Sequence, residues 1–194
     1  MTEIMEASEW RLRCFVMSLL FFHVSEFMLA LHYHGAAGVE SLLITGPYLV
    51  ALTFGLVEHH LESMYLPEYK SQTYVAYLGL ALVIVGEVIR KLAIVTARRN
   101  FTHEIKVDYD ENHQLVTHGI YRYMRHPSYL GFFVFAIGTQ LLLCNPLATA
   151  GYMIILWRFF HDRIEYEEFF LVEFFGPKYE EYQKIVPSGL PFVK

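Results

Sequence analysis

Two stretches of this chain hold the residue types that could bind and convert a polar ligand. They are His113 to Tyr129, HQLVTHGIYRYMRHPSY, and Arg163-Ile-Glu-Tyr-Glu-Glu168. In the first, Gly119 and the flanking His113 and His118 break any helical period around Leu115, Val116 and Ile120. Backbone of that kind can offer N–H and C=O groups to a nucleoside while apolar side chains wall its base. The stretch ends in Arg125-His126-Pro127 at the start of an apolar segment. Unpaired N–H groups and the helix dipole favour an anion there, and the alternative is a headgroup anchor. In the second stretch Arg163 and Glu167 are four apart and share a helical face, with Glu168 about 100° round. They form either an ion pair on a solvated face or a site for two opposite charges. In the second case Arg163 would hold a carboxylate and Glu167 an amino or cationic group.

The elements that must position these residues are apolar. Hydrophobic residues make up 55% of the 194, charged ones 18%, with 16 Phe and 14 Tyr. Such a composition cannot build a water-facing surface but suits lipid and its interface. Apolar runs cover Cys14–Leu31, Leu42–Val57, Thr73–Ile89, Tyr129–Leu143 and Leu147–Phe160. With Ser41, Glu58, Arg90 and Lys91 snorkelling, the first three reach the ~20 residues a span requires. The last two are joined only by Cys144-Asn145-Pro146 and read as a tight hairpin, with Pro146 in the first turn of its second arm. Pro47 is expected to kink the second helix. From Leu147 to Phe175 nothing stops a helix before Gly176-Pro177, so it should run roughly 43 Å and carry Arg158 to Glu173 beyond the ~30 Å hydrocarbon. Leu190, Phe192 and Val193 of the tail Lys178–Lys194 should pack back onto the protein.

The expected fold is therefore all-α: a polytopic integral membrane protein of about five transmembrane helices in one domain, 1–194. It divides into three N-terminal spans (1–96), a loop (97–128), a helical hairpin (129–160) and an extramembrane helix and tail (161–194). The N-terminus has no A-x-A-like cleavage site, so the first run reads as an anchor. Twelve of the fifteen Lys and Arg border the third helix's end, the 97–128 loop or the C-terminal part, which the positive-inside rule assigns to the cytosol.

Other chemistries find less support. His103, His113, His118 and His126 have no Cys at ligand spacing and no HExxH, so no metal site is expected. His59-His60 reads as an interfacial pair. There is no GxGxxG or P-loop, and no basic block for nucleic acid. Cys14 and Cys144 read as small buried side chains. Glu26, Glu58 and Glu87 must face partners or water, and Glu87 has Arg90 and Lys91 as near neighbours.

The motifs HxLVxxGIYxxxRHPSY, GTQLLLCNP, WRFFxDRIxYEE and FFGxxYxEYxxxVPSGLPF run over essentially the whole chain, with FHVSE at 22–26 and GEVIRK at 86–91. Together they resemble the isoprenylcysteine carboxyl methyltransferases. RHP, hairpin and paired Glu are shared with phospholipid methyltransferases and some sterol reductases; the C-terminal motif is narrower. The resemblance implies methyl transfer from S-adenosyl-L-methionine, leaving S-adenosylhomocysteine, to the carboxylate of a farnesylated or geranylgeranylated C-terminal cysteine of a CaaX protein. It implies that Lys106, His113, Gln114, Leu115, Val116, Tyr121, His126, Pro127, Ser128, Tyr129 and Glu167 meet the cofactor, with Glu167 at its amino or ribose end. Arg163 would hold the substrate carboxylate, and Arg163 and Glu167 are the catalytic pair. The resemblance also implies the endoplasmic reticulum membrane, and a chain shorter at its N-terminus than animal members. Phe132, Phe133 and Phe135 could line the prenyl path. The rival readings are a phospholipid N-methyltransferase, a nicotinamide-dependent reductase and a non-catalytic membrane scaffold.

Overall fold

The structure is a computed structural model that describes residues 2–108, 111 and 113–193, with residues 2–7 described by backbone alone. Tyr109, Asp110 and Asn112 of the 97–128 loop, and Met1 and Lys194 at the ends of the 1–194 domain, lie outside the described residues. The α-helices are α1 (Thr2–His34), α2 (Gly46–Tyr65), α3 (Thr73–Ala97), α4 (Pro127–Leu142), α5 (Pro146–Phe175) and α6 (Pro177–Ile185). The described residues contain no strand.

Local chemistry sets several helix ends. Thr45 caps α2 by accepting from the Tyr48 N–H at 3.3 Å, and Pro47 sits in the first turn. Pro47 therefore starts the helix and does not kink it, because its missing N–H falls where no intrahelical partner exists. Pro146 begins the second arm of the hairpin as expected, and α5 runs unbroken for 30 residues until Gly176-Pro177. The stretch after Gly176 is not simply a tail, since α6 occupies its first half.

At the hairpin turn the polar groups are buried and paired. Lys70 donates to the carbonyls of Leu143 (2.9 Å) and Cys144 (2.8 Å), to Asn145 Oδ1 (2.8 Å), and pairs with Glu62 (2.7 Å). It thus satisfies carbonyls that the end of α4 leaves open. Glu58 accepts the first free N–H groups of α5, from Leu147 and Ala148, both at 2.7 Å. His59 is buried against Leu143 O (3.1 Å) and Ser8 Oγ (3.2 Å). His59-His60 is therefore not an interfacial pair; only His60 faces outward.

Helices α3 and α4 form the axis of the fold. A Cβ on Gly138 would lie 2.7 Å from Val83 N, and one on Gly86 would collide with the backbone at Phe135. With no side chain at either position the two backbones can touch, the packing mode that replaces the hydrophobic effect in lipid. Glu26 of α1, fully buried, locks this pair from the side. It accepts from Arg90 Nε (2.8 Å) and Nη2 (2.9 Å), Lys91 (2.6 Å) and His103 (2.8 Å). Arg90 therefore serves Glu26, and Glu87 is left to pair with Lys91, at 3.4 Å.

The outward surface is strongly apolar. Phe21, Val50, Ile154 and Ile155 are each 60% exposed or more. The stretches Ser8–His34 and Val39–Tyr65 are long and apolar enough to cross a membrane, and α4 is a shorter apolar helix. Phe135 is buried and stacked on Phe22 (4.7 Å between ring centres), so it belongs to the core and lines no path to the outside. Leu190 and Val193 pack inward as expected, but Phe192 is 95% exposed because its backbone takes the left-handed conformation at φ 64°.

Candidate active site

The site forms where α4 begins, with the far half of α5 alongside and the C-terminal segment closing behind. The backbone N–H groups of Arg125 and His126 donate to the carbonyls of Pro187 and Ser188, both at 2.9 Å. The Arg125 side chain donates to Glu168 (2.7 Å), Gln183 O (3.2 Å) and Val186 O. The anion expected near Arg125-His126 is therefore the protein's own Glu168, which also meets His126 Nε2 at 2.8 Å and Gln183 Nε2 at 2.7 Å. Sequence alone could not place a carboxylate 43 residues away.

Arg163 and Glu167 share a face, but they do not pair directly. Tyr129 stands between them: Arg163 Nε donates to the Tyr129 hydroxyl at 3.0 Å, and that hydroxyl donates to Glu167 Oε2 at 2.7 Å. The Tyr129 ring is held between parallel His126 (5.5 Å) and Phe160 (5.1 Å). Arg163 also donates to the His103 carbonyl at 2.6 Å, and its guanidinium lies 5.4 Å from the Tyr129 ring centre. Its side chain is thereby fixed at three points, as a group that must hold one orientation requires.

Glu167 faces an open cavity whose empty space, its mouth to solvent included, is about 840 Å³. Lys106, His113, Gln114, Leu115, Val116, Tyr121, His126, Ser128, Tyr129 and Glu167 all line it. Pro127 does not: it is buried in the first turn of α4 and shapes the helix start. Arg163 lies outside the wall, one helical turn before Glu167, and reaches the cavity through Tyr129. The sequence reading missed Phe170, Leu171 and Phe174, which continue the Glu167 face at the next helical spacings and could have been found that way. It also missed Tyr179 and Tyr182, which stand in the C-terminal motif FFGxxYxEY, and Asn100, which no local pattern marks. Asn100 Oδ1 accepts the Gln114 N–H at 2.9 Å and so fixes one end of the loop.

The electrostatics follow from the pairing. Burial alone would lower the His126 pKa, but hydrogen bonds and charge from Glu167 and Glu168 outweigh it and raise it. Burial would raise both carboxylates, yet hydrogen bonds led by His126 hold each below its ordinary value. The sign follows for stability. The carboxylates contribute fully above 4.5 and lose their contribution as pH falls through their lowered folded values. His126 contributes fully below 6.5 and loses its contribution as pH rises through its raised folded value. Thermal midpoints scanned against pH are expected to fall on the alkaline side above 6.5, and His126→Gln to lack that fall. An identical alkaline limb in the variant would refute the charged-histidine assignment.

Among the described residues no three His, Cys, Asp or Glu side chains are placed to hold a metal ion. Two buried polar atoms on the cavity wall, Arg125 Nη2 and the Tyr179 hydroxyl, have no hydrogen-bond partner among the described residues. Together with Glu167 and the apolar Leu115, Val116 and Leu171, they offer donors, an acceptor and a dry wall in one cavity.

Comparison with known proteins agrees. Residues 78–173 match the isoprenylcysteine carboxyl methyltransferase (ICMT) family. A probable protein-S-isoprenylcysteine O-methyltransferase of Oryza sativa subsp. indica is 53% identical over 182 residues, covering 93% of this chain and 95% of that protein. Protein-S-isoprenylcysteine O-methyltransferase A of Arabidopsis thaliana is 50% identical over the full length of both. The protein-S-isoprenylcysteine O-methyltransferase of Homo sapiens is 43% identical over 93% of this chain, which spans 64% of that protein's length. A solved structure described as the eukaryotic intramembrane Ras methyltransferase ICMT superimposes with a TM-score of 0.93 at 37% identity, covering 96% of this chain and 68% of that one. The chain belongs to the isoprenylcysteine carboxyl methyltransferase family.

Proposed function

We propose that the protein transfers a methyl group from S-adenosyl-L-methionine to the C-terminal carboxylate of a prenylated cysteine in processed CaaX proteins, forming a methyl ester. The observation that carries this reading is the Arg163–Tyr129–Glu167 chain. It sets a cation on one side of a tyrosine hydroxyl and, on the other, an anion that lines the cavity. When bound, S-adenosyl-L-methionine supplies an activated methyl on a sulfonium. The buried donors Arg125 Nη2 and Tyr179 Oη, the apolar walls and ionised Glu167 fit a zwitterionic nucleoside.

The residues then have defined tasks. Glu167, held ionised by His126 and Tyr129, attracts the cationic end of the cofactor. Lys106, His113, Gln114, Ser128 and Tyr121 complete the wall around it. Arg163 pairs with the acceptor carboxylate and offsets the loss of its water. That carboxylate is ionised at neutral pH, so no general base is required. What the chain contributes is alignment, which in favourable cases is worth several kcal/mol as effective concentration. The prenyl tail, farnesyl or geranylgeranyl, stays in lipid beside α4 and α5, where Phe132 and Phe133 are half-buried.

The five-span topology, one functional domain, a cytosolic site and the endoplasmic reticulum membrane belong to the same proposal. The asymmetry of Lys and Arg supports the orientation. The test is incubation of purified, reconstituted protein with radiolabelled S-adenosyl-L-methionine and N-acetyl-S-farnesylcysteine, with an ethanolamine phospholipid as parallel acceptor. Base-labile label on the prenylcysteine alone is the expected result. Label on the phospholipid, or on neither by folded protein, would overturn the proposal.

A further inference from the structure

A second cavity opens behind the first, between Tyr33 at the end of α1, Thr96–Asn100 at the end of α3, and Gln114–Val116 with His118. Ala97, Asn100, Gln114, Leu115 and Val116 belong to both cavities, so one thin wall separates them. Arg98 and Arg99 are exposed beside it, and neither guanidinium is held by a hydrogen bond or ion pair to another described residue. We infer that this cavity binds the phosphate headgroup of an anionic phospholipid and that its occupancy steadies the loop walling the first cavity.

The backbone at Arg98 carries the argument. Arg98 closes α3 at φ 52°, ψ −120°, a conformation that L side chains rarely adopt. At the end of α5 the chain meets nearly the same geometry, φ 52°, ψ −131°, and there it uses Gly176. Arginine at the first position is unfavourable for the backbone, so its use points to the side chain. The occupant follows from position and charge. Two arginines suit phosphate oxygens better than any neutral group. Leu31 of α1 and Leu92 and Val95 of α3, just below the cavity towards the bilayer, are exposed apolar residues on which acyl chains can lie. A soluble phosphate would have no use for that surface.

Coupling to the first cavity has a physical route. Asn100, directly after the arginines, holds the Gln114 N–H. Gly119, itself at φ 59°, sits so close to Thr96 that a Cβ would lie 2.8 Å from the Thr96 methyl. The 96–100 segment is thus the platform on which the 113–119 loop rests, and fixing its arginines lowers the opening of that loop.

The test needs no methyl donor, so its outcome is independent of the reaction assigned above. Full-length protein is placed in nanodiscs of phosphatidylcholine alone or with about one fifth phosphatidylglycerol. Hydrogen exchange is followed at the amides of 113–119, and lipid retained after transfer to detergent is identified by mass spectrometry. Phosphatidylglycerol is expected to remain bound and to slow exchange there about fivefold. Arg98→Gly with Arg99→Gln should lose both effects while unfolding in phosphatidylcholine at no lower temperature than the parent, since glycine relieves the backbone. Retention and protection in that variant would overturn the inference, as would no difference between the two bilayers in the parent. Equal protection by soluble glycerophosphoglycerol would overturn the lipid as occupant.

Discussion

Arg163→Ala is expected to lower kcat/KM for the prenylcysteine acceptor about a thousandfold, with the fold intact. A carboxylate drawn from water to the membrane edge without its cation loses a charge-assisted pair, and a buried charge left alone costs about 3–5 kcal/mol. At about 1.4 kcal/mol per tenfold that is roughly three orders of magnitude. Arg163→Lys should recover only part of this, because an ammonium cannot donate to the Tyr129 hydroxyl, the His103 carbonyl and a carboxylate from one plane. Affinity for the methyl donor separates the roles. Glu167→Gln should weaken it, Arg163→Ala should not, and Tyr129→Phe should disturb both sides because its hydroxyl serves both. Steady-state kinetics with each substrate varied, together with donor binding, decides the matter. Near-normal turnover of Arg163→Ala would end the assignment.

The second large effect concerns stability. Arg125→Ala is expected to destabilise the protein by about 3–5 kcal/mol, because Glu168 would remain buried with one of its two cationic partners gone and the carbonyls that Arg125 serves left open. The same change frees the carbonyls of Gln183 and Val186, so residues 186–193 should undock. For a chain of this size the unfolding midpoint should fall by about 10 °C. Limited proteolysis should cut the C-terminal segment first. A paired change, Arg125→Met with Glu168→Leu, should restore part of the midpoint, since an apolar pair leaves no stranded charge. An unchanged midpoint in Arg125→Ala, or cleavage elsewhere first, would show that the pair does not hold the closure.

Much of this was legible in the residues because membranes and helix ends impose local rules. Five apolar runs, the Asn145-Pro146 turn and the Gly176-Pro177 stop are dictated within a few positions, and α4 and α5 begin and end accordingly. Pro47 misled because a proline reads alike inside a helix and in its first turn. Only the Thr45 cap tells which. The cavity residues followed from the motif they match. Phe170, Leu171 and Phe174 follow from helical spacing on the Glu167 face.

The sequence by itself determined that the chain is helical and membrane-borne, which family it resembles and which residues gather at its polar end. Those properties arise from composition, period and motif, all short-range in the chain. Only the tertiary structure decided who pairs with whom. Arg125 pairs with Glu168, Glu26 draws Arg90 away from Glu87, and Tyr129 separates Arg163 from Glu167. The physical reason is that a buried charge must find an opposite charge or a donor. Which one it finds depends on how close α3 and α4 approach through their glycines, and no single segment encodes that distance.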